Sequence, residues 1–317
     1  MSTKHLIFGT GPLGQSVMRA LRNRRDVSIT MVNRSGNRHD IPADVSVVAG
    51  DAYNAETVKR LTVDADVVYQ CAQPAYNKWV AEFPPLQQAI LEGVAANHAK
   101  LIVGENLYMY GDTDGAPIHE QLPYKAHGHK GITRAAMANQ LIEAHQAGKL
   151  PIAIARGSDF YGEGVEGAMM GERVFGFLLE GKAASIIGNP DAPHTQTYIG
   201  DFGEAMVILG ERDEALGRAW HVPNAEPMIT TREFIQRIGY GMERDAKISV
   251  MPELMFQVVS LVHPMLREMR ELRYEFDKPY IVDSSDFINT FGDISTPIAQ
   301  GIQNTLAWYR QHQAVHA

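Results

Sequence analysis

Three glycines near the start of the chain have the spacing of a loop that approaches a negatively charged group. Gly9, Gly11 and Gly14 lie in the stretch FGTGPLG, between a short apolar run and a helix-like segment. In such a loop the first glycine permits a tight turn, the second lets the backbone approach a diphosphate, and the third lets the helix pack near the strand. The N–H groups that open the helix add a partial positive charge. The alternative is a glycine-rich turn without a ligand. The residues predicted to bind a dinucleotide here are Gly9, Thr10, Gly11, Pro12, Leu13 and Gly14.

The end of the second predicted strand indicates which dinucleotide binds. An acidic residue at this position would accept hydrogen bonds from the free adenosine ribose hydroxyl of NAD. In the stretch TMVNRSGNR the position is Asn33, followed by Arg34 and Ser35. A guanidinium and a hydroxyl suit a 2′-phosphate, and no carboxylate is present to repel it. The sequence therefore favours NADP over NAD, unless Arg34 is merely a solvated loop residue.

A second contact with the cofactor is predicted after the third strand, in the stretch VAGDAY. Asp51 and the following Ala52 lie where the adenine ring would come. The alternative for Asp51 is a structural one, in which its carboxylate caps the helix predicted over 54–61.

The elements that position these residues alternate between strand and helix. The strand-like segments are continuous runs rich in β-branched residues, which is typical of parallel strands covered on both faces. The alternation predicts an α/β fold with a doubly wound parallel (Rossmann) sheet, whose ligands bind at the carboxyl ends of the strands. The predicted strands are 6–8, 27–32, 45–48, 67–70, 101–103 and 152–155. The predicted helices between them are 13–23, 55–61, 85–96 and 132–147.

The pattern changes after residue 161, where a glycine-rich stretch and then separate helices follow. We predict a dinucleotide-binding Rossmann domain over 1–162, with a return segment at about 197–222. Residues 163–196 and 223–317 are predicted to form a smaller, mostly helical C-terminal lobe that binds the substrate. A long helix is predicted from 252 to about 276.

Composition excludes several classes of function. The 317 residues carry a formal net charge of −8, so a general affinity for nucleic acid or an anionic membrane is not expected. Cys71 is the sole cysteine, which excludes an intramolecular disulfide and a Cys-based zinc site, and no metal site is predicted. No apolar run reaches the roughly 18 residues of a membrane span. We expect a cytoplasmic protein with a small-molecule substrate.

In order along the chain, several segments resemble the extended short-chain dehydrogenase/reductase family, often called NAD-dependent epimerase/dehydratase. The matching segments are FGTGPLG, AGD, ADVVYQCAQP, ENLYMYG, ARGSDFYG, TYIGDFGEAM, PNAEPMITTREFIQRIG and the C-terminal KPYIVDSSDFINTFGDISTPIAQGIQNTLAWYR. The resemblance implies hydride transfer on a small, sugar- or polyol-like substrate, and a homodimer formed through the helices 85–96 and 132–147. It also implies that the ends of strands four and six flank the nicotinamide. The cofactor contacts implied there are Ala72, Gln73, Pro74 and Asp159.

The departures from this family concern its catalytic residues. Family members use a Ser or Thr, a Tyr, and a Lys four residues after the Tyr, and the Lys lowers the pKa of the Tyr so that its phenol passes a proton to the substrate. Here Glu105 and Asn106 stand where the hydroxyl residue is expected, and the helix register puts Gly131 and Ala135 at the Tyr and Lys positions. The resemblance is therefore to the atypical branch, which keeps the cofactor loop without the usual catalytic set.

Other residues near the same strand ends are candidates for the missing roles. Asn106 has an amide that can bond a substrate carbonyl, a His is a competent proton donor near neutral pH, and a Tyr serves if a cation lowers its pKa. For each of them the alternative is an ordinary structural or solvated residue. The predicted catalytic residues are Asn106, Tyr108, His129 and Lys130. The predicted substrate-pocket residues are Tyr110, Tyr161, His194 and Gln196.

Two functions fit these observations. The first is an NADP-dependent oxidoreductase or epimerase that acts on a carbonyl or alcohol with a non-standard proton donor, because hydride transfer depends mainly on alignment. The second is a non-catalytic NADP-binding protein that senses the redox ratio. The vacant Tyr and Lys positions favour the second, whereas the developed C-terminal lobe favours the first.

Overall fold

A seven-stranded, wholly parallel sheet lies at the centre of the protein, in the order β3-β2-β1-β4-β5-β6-β10. The computed structural model describes residues 2–225 and 229–316. The strands of this sheet are β1 (Thr3–Phe8), β2 (Val27–Asn33), β3 (Ser46–Ala49), β4 (Val67–Gln70), β5 (Lys100–Glu105), β6 (Ile152–Arg156) and β10 (Ala219–His221). The doubly wound fold predicted from the sequence is confirmed, and each of the six predicted strands is present with bounds shifted by a few residues at most.

Helices cover both faces of the sheet and form most of the C-terminal part. They are α1 (Pro12–Arg22), α2 (Ala55–Leu61), α3 (Trp79–Ala95), α4 (His129–Gln146), α5 (Phe177–Leu179), α6 (Ile199–Glu211), α7 (Thr231–Gly241), α8 (Glu253–Ser260), α9 (Pro264–Met269), α10 (Arg273–Asp277), α11 (Ser285–Phe291) and α12 (Ile298–His316).

The strand order reverses between β1 and β4, and in open α/β sheets ligands bind in the crevice outside the carboxyl ends of the strands at such a switch point. The glycine loop follows β1 directly, and Gln70 is the last residue of β4. The crevice therefore opens where the sequence predicts the dinucleotide.

Two apolar layers sandwich the sheet. One face packs against α1 and α6, with Val17, Met31 and Phe202 in the contact. The other packs against α3 and α4, with Ile90 and Leu141 among its buried residues. Helix α6 crosses α1 so closely that the Ser16 hydroxyl donates to the carbonyl of Ile199 across 2.6 Å.

The C-terminal part adds two small parallel strand pairs and an aromatic core. Strand β7 (Asp159–Tyr161) pairs with β9 (Gln196–Tyr198), and β8 (Ala184–Ile186) pairs with β11 (Ile248–Val250). Stacked and edge-on rings, including Phe175 and Phe234, fill the space between these pairs and α12. In the chain that the structure describes, no helix combines the length and the apolar character needed to cross a membrane.

Two helix predictions need correction. The helix predicted over 85–96 begins six residues earlier, at Trp79, and contains Pro84 and Pro85 within it. The single helix predicted from 252 to about 276 is wrong, because the chain forms α8, α9, a 3₁₀ turn (Arg270–Leu272) and α10 instead. The break falls at His263, whose φ of −98° and ψ of 111° are extended, as expected for a residue that precedes a proline.

Candidate active site

The three glycines of the first loop have different structural reasons for being glycine. Gly9 has a φ of +108°, and a side chain there would approach the Ala72 backbone nitrogen to 2.8 Å. A side chain at Gly14 would collide with the carbonyl oxygen of Gly9. A side chain at Gly11 would meet nothing within 4 Å. The first and third glycines are thus fixed by the packing of the chain, whereas the second faces open space, as a loop that holds a diphosphate requires.

The first turn of α1 is suited to an anion. Gly11 is the N-cap and gives no side-chain hydrogen bond to the helix, Pro12 takes the first position, and the first turn holds no acidic residue. The N–H groups behind Pro12 are therefore free of a side-chain cap and face outward with the positive end of the helix dipole. Gln15 steadies the turn by donating from Nε2 to the Thr10 carbonyl across 3.2 Å.

Asn33 joins the end of β2 to the glycine loop. Its Nδ2 donates to the Thr10 hydroxyl across 3.3 Å and to the Asn37 carbonyl across 2.8 Å, and its Oδ1 accepts from the Gly36 N–H across 2.6 Å. The carboxamide therefore fixes the loop 34–37, on which Arg34 and Ser35 are exposed. Arg34 forms no ion pair with any residue that the structure describes.

Asp51 does not cap α2, so the alternative interpretation of the sequence, in which its carboxylate caps this helix, is wrong. The N-cap is Asn54, whose side chain accepts from the Thr57 N–H across 2.8 Å. The Asp51 carboxylate instead accepts from the Tyr53 N–H across 3.0 Å and stays exposed, with Ala52 half-buried beside it.

The predicted segment after β4 lines the glycine loop. Ala72 lies against Gly9, Gln73 is exposed, and the Pro74 carbonyl accepts from Trp79 Nε1 across 3.2 Å. The backbone of this segment is thereby held across the crevice from α1.

Apart from Glu105 Oε1, which lies 3.3 Å from an Arg134 nitrogen, three buried polar atoms at the carboxyl ends of the central strands lack a hydrogen-bond partner among the described residues. They are Gln70 Oε1 at the end of β4, Asn106 Nδ2 after β5 and Ser158 Oγ after β6, and a fourth such atom, Gln196 Oε1, lies on β9 opposite Asp159. Leaving such an atom unpaired in the interior costs about 1–3 kcal/mol, so donors and acceptors of a ligand are the expected partners. A nicotinamide and its ribose carry such groups. Gln70 and Ser158 were not predicted, although each lies at the last residue of a strand or just beyond it.

Two tyrosines meet beside the end of β5: Tyr108, which follows β5, and Tyr76, which follows β4 and was not predicted. The Tyr108 and Tyr76 hydroxyls are 3.4 Å apart. Burial raises the pKa of Tyr108 well above its usual range, and the nearby charges of Glu275 and Asp159 act in the same direction. Burial likewise raises the pKa of Tyr76. The prediction from the sequence required a cation that lowers the pKa of Tyr108 if this residue is to act as an acid or base. The pKa is raised instead, so the Tyr108 phenol keeps its proton.

Lys130 is buried rather than solvated. Its side chain is 1% exposed, its ammonium pairs with Glu268, and it lies 4.6 Å from the centre of the Tyr76 ring. The neighbouring His129 has an exposed side chain. Glu271 caps the start of α4 by accepting from the N–H of His129 across 2.6 Å and of Lys130 across 3.0 Å.

Asp159 and His194 form a pair beside these tyrosines. His194 Nε2 lies 3.0 Å from Asp159 Oδ2, and His194 Nδ1 lies 3.1 Å from the carbonyl oxygen of Glu275. The pairing of β7 with β9 sets Asp159 opposite Gln196. Asp159, predicted from one segment, is thus brought together with His194 and Gln196, predicted from another.

Tyr110 and Tyr161 lie in packed interior instead. Tyr161 is 1% exposed and packs among Phe175, Phe234 and Tyr198. Tyr110 is 2% exposed, and its hydroxyl accepts from Arg156 across 2.7 Å and contacts His221 Nε2 at 3.0 Å. Neither phenol belongs to the group around Asp159.

Glu105, where the sequence led us to expect the family hydroxyl residue, has a buried ionic role. Its carboxylate lies 3.1 Å from Arg156 Nε and 3.3 Å from an Arg134 nitrogen, with each of the three side chains at most 2% exposed. At Gly131, where the family Tyr was expected, a side chain would collide with Ala126. The local packing is therefore built around a glycine.

The model of the NAD dependent epimerase/dehydratase family matches residues 6–222 of the chain. Among curated proteins no match is found. The described residues include no group of three or more His, Cys, Asp or Glu side chains that could hold a metal ion.

Several solved structures share the fold over nearly the whole chain. A UDP-N-acetylglucosamine 4-epimerase from Methanobrevibacter ruminantium M1, in complex with UDP-N-acetylmuramic acid, is 16% identical with a TM-score of 0.80, covering 98% of this chain and 100% of that one. A dTDP-glucose 4,6-dehydratase from Bacillus anthracis in complex with NAD is 16% identical with a TM-score of 0.78, covering 99% and 98%. A UDP-glucuronic acid 4-epimerase from Bacillus cereus, with UDP-glucuronic acid and NAD, is 17% identical with a TM-score of 0.78, covering 98% and 100%. At sequence identities of 16–17%, the structural similarity establishes that these proteins share one fold.

Proposed function

The chain belongs to the NAD dependent epimerase/dehydratase family, and we propose that it is an oxidoreductase or epimerase that binds NADP in preference to NAD. Its substrate is a small, sugar-like molecule that reacts at a carbonyl or alcohol carbon. One observation carries the proposal: the open face of Gly11, after β1, lies at the same edge of the central sheet as the unpartnered polar atoms of Gln70, Asn106 and Ser158.

The residues of the crevice fit a bound dinucleotide. Gly11 and the N–H groups that begin α1 would hold the diphosphate, and the helix dipole would stabilise its negative charge. Gln70, Asn106 and Ser158, at the ends of β4, β5 and β6, would offer their unpartnered atoms to the nicotinamide and its ribose. When bound, the nicotinamide supplies the acceptor or donor of a hydride.

The preference for NADP follows from charge at the end of β2. Asn33 has a neutral carboxamide at the position where a carboxylate would repel a 2′-phosphate. This carboxamide already forms hydrogen bonds that fix the loop 34–37. The exposed Arg34 guanidinium remains to meet the phosphate. Beside it, the exposed Ser35 hydroxyl makes only long contacts, 3.4 Å to Asn33 Oδ1 and 3.3 Å to the Asn37 N–H. Arg38, the other arginine of this loop, donates to the carbonyls of Pro42 and Val45 across 2.9 and 2.8 Å.

The substrate lies on the far side of the nicotinamide, against residues of the C-terminal part. Asn106, Asp159 and Gln196 give this space an amide donor, a carboxyl group and an amide acceptor, and His194 lies behind Asp159. Such a set suits a hydroxylated substrate, because each polar group has a hydroxyl or carbonyl to bind. The related structures were solved with nucleotide-linked sugars, and we propose the same class for this protein.

Among the predicted catalytic residues, the proposal assigns orienting roles to Asn106 and Tyr108. Asn106 Nδ2 donates to the substrate oxygen, and the protonated Tyr108 phenol is a second donor. Lys130 fixes the Tyr76 ring from below rather than contacting substrate. His129 is left as a surface residue.

Two measurements test the function. Titration calorimetry with NADP and NAD should show binding of both, with NADP tighter. Reduced NADP should then be oxidised in the presence of a panel of keto-sugars and their nucleotide-linked forms, with deuterium from the labelled nicotinamide recovered in the sugar product. Binding without turnover across the panel would instead support the non-catalytic NADP-sensing protein.

A further inference from the structure

We propose that Asp159 is the acid that protonates the substrate oxygen, and that His194 positions it by sharing one proton with its carboxyl group. This inference rests on the function proposed above, because it names the group that replaces the missing family tyrosine. It follows from the hydrogen-bond partners of the two nitrogens of His194.

The partner of His194 Nδ1 determines where one ring proton lies. Nδ1 is 3.1 Å from the backbone carbonyl oxygen of Glu275, which can only accept a hydrogen bond. Nδ1 therefore carries a proton and donates it. In the neutral ring the other nitrogen, Nε2, then has a lone pair and no hydrogen.

The partner of Nε2 requires a second proton. Nε2 lies 3.0 Å from Asp159 Oδ2. A neutral ring facing an ionised carboxylate would set two lone pairs against each other at hydrogen-bond distance. The contact is favourable only when the pair holds one further proton, either on the imidazole or on the carboxyl group.

His221 provides an internal comparison within the same chain. Its Nδ1 also faces a backbone carbonyl, that of Asp283, at 2.8 Å. Its Nε2, however, faces the Tyr110 hydroxyl at 3.0 Å, and this hydroxyl already accepts from Arg156 and so donates to the ring. His221 is thus satisfied as a neutral ring, and burial lowers its pKa to about 3. The two histidines differ in the single partner of Nε2.

The surroundings of the pair keep its proton from other acceptors. The His194 ring stacks on Phe276 at a centroid distance of 5.8 Å and packs against Tyr280 at 5.3 Å. Burial raises the pKa of the Glu275 carboxyl group well above its usual range, with the charge of Asp159 second. The Tyr76 and Tyr108 phenols stay protonated.

The exposed fractions of the two side chains indicate which residue passes the proton to the substrate. The Asp159 side chain is 20% exposed, whereas that of His194 is 4% exposed. Asp159 also stands opposite Gln196, whose Oε1 is one of the unpartnered atoms. Asp159 is therefore the member of the pair that can touch a substrate in the crevice, and His194 acts through it.

A hydride passes from the reduced nicotinamide to the carbonyl carbon of the substrate, and the π electrons of the C=O bond move onto the oxygen. That oxygen takes the shared proton from the Asp159 carboxyl, which leaves an ionised carboxylate beside a neutral His194. The products are the substrate alcohol and the oxidised nicotinamide. In the reverse direction the same pair accepts the hydroxyl proton.

Nuclear magnetic resonance of the unsubstituted protein at pH 7 tests the shared proton without any substrate. The ¹⁵N chemical shifts of the His194 ring and the ¹³C chemical shift of the Asp159 carboxyl group together show how many protons the pair holds. We expect either an imidazolium or a protonated carboxyl group, with the neutral His221 ring as the reference in the same spectra. A neutral His194 ring together with an ionised Asp159 would overturn the proposal.

The variant Asp159→Asn places an amide donor against Nε2 and removes the need for the extra proton. His194 should then show the same neutral pattern as His221. If His194 stays an imidazolium in this variant, Asp159 is not its partner and the proposal fails.

Activity separates the failure of this inference from that of the proposed function. With a substrate that the unsubstituted protein reduces, Asp159→Asn should lower kcat by about 100-fold or more while the Kd for NADP changes less than about twofold. His194→Gln should lower kcat less and shift its pH profile, as expected of a positioning residue. Asp213→Asn, an exposed residue paired with Lys100, is the matched control. Full turnover by Asp159→Asn would overturn the inference alone, whereas failure of the unsubstituted protein to bind either dinucleotide would overturn the function.

Discussion

The Lys130 ammonium lies 4.6 Å from the centre of the Tyr76 ring and pairs with Glu268, a residue 138 positions further along the chain. This contact sets a buried cation beneath the aromatic ring whose hydroxyl meets Tyr108. It joins the start of α4, the turn after β4 and the C-terminal part at one point beside the proposed active site.

Lys130→Met should lower turnover by about tenfold or more, because the Tyr76 and Tyr108 phenols lose the support that holds them in place. Affinity for NADP should stay nearly unchanged. Removing one partner of the pair also costs about 1–3 kcal/mol of unfolding free energy. In the double variant Lys130→Met/Glu268→Gln, urea denaturation should show most of that stability restored while turnover stays low. Turnover that recovers with stability would assign Lys130 a structural role only.

Gly11→Val should abolish dinucleotide binding without disturbing the fold. Gly11 has an ordinary extended φ of −75°, and a side chain there meets no protein atom within 4 Å, so only the approach of the diphosphate is blocked. Calorimetry with NADP measures the loss, and circular dichroism checks the fold. Gly167→Val, also in open space, is the matched control. Binding retained by Gly11→Val would place the cofactor elsewhere.

Arg34→Ala should weaken NADP binding by about tenfold, or about 1.4 kcal/mol, and leave NAD binding unaltered, because only NADP carries the 2′-phosphate. Arg38→Ala is the matched control, since the Arg38 guanidinium is occupied by two backbone carbonyls. Equal affinities for the two dinucleotides in the unsubstituted protein would remove the argument from Arg34.

His221 should make the protein less stable in acid. Burial, with the charge of Arg156 second, lowers its pKa from 6.5 to about 3. Between these values the unfolded chain binds a proton that the folded chain does not, so the free energy of unfolding falls as the pH falls from 6.5 towards 3. The slope from this residue is up to about 1.4 kcal/mol per pH unit. Above pH 6.5 the contribution is constant.

Urea denaturation of the unsubstituted protein and of His221→Gln, at half-unit intervals between pH 4 and pH 7, isolates this contribution. The variant should be less stable at pH 7 and should show a shallower loss on acidification. The exposed His127→Gln serves as the comparison and should reproduce the unsubstituted profile. Parallel profiles for His221→Gln and the unsubstituted protein would show that His221 binds its proton equally in both states.

The sheet and the glycine loop were predictable because their signals are local. Runs such as those of β4 and β5 are continuous and β-branched, and Gly9, Gly11 and Gly14 lie within six positions of each other. The break at His263 was also present in the sequence, in the proline that follows it, but the apolar residues on both sides outweighed it in the prediction of one long helix.

The contacts around the proposed acid were not predictable because they join distant segments. His194 meets Glu275, 81 positions away, and Lys130 meets Glu268. Sequence placed His194, Gln196 and Asp159 near the crevice, yet no local pattern sets a carboxylate against one ring nitrogen and a carbonyl against the other. Tyr76 was missed for the same reason, since only the fold brings it to Tyr108.

The carboxylate cap on α4 has a consequence for chimeric proteins. Glu271 and Glu268 belong to the C-terminal part, yet they complete the first turn of a helix that flanks the cofactor sheet. Exchanging the C-terminal part for that of a relative, in order to import another specificity, would strip this turn of its acceptors. A working graft must therefore bring acidic residues at both positions, or recode the start of α4 along with the transplanted segment.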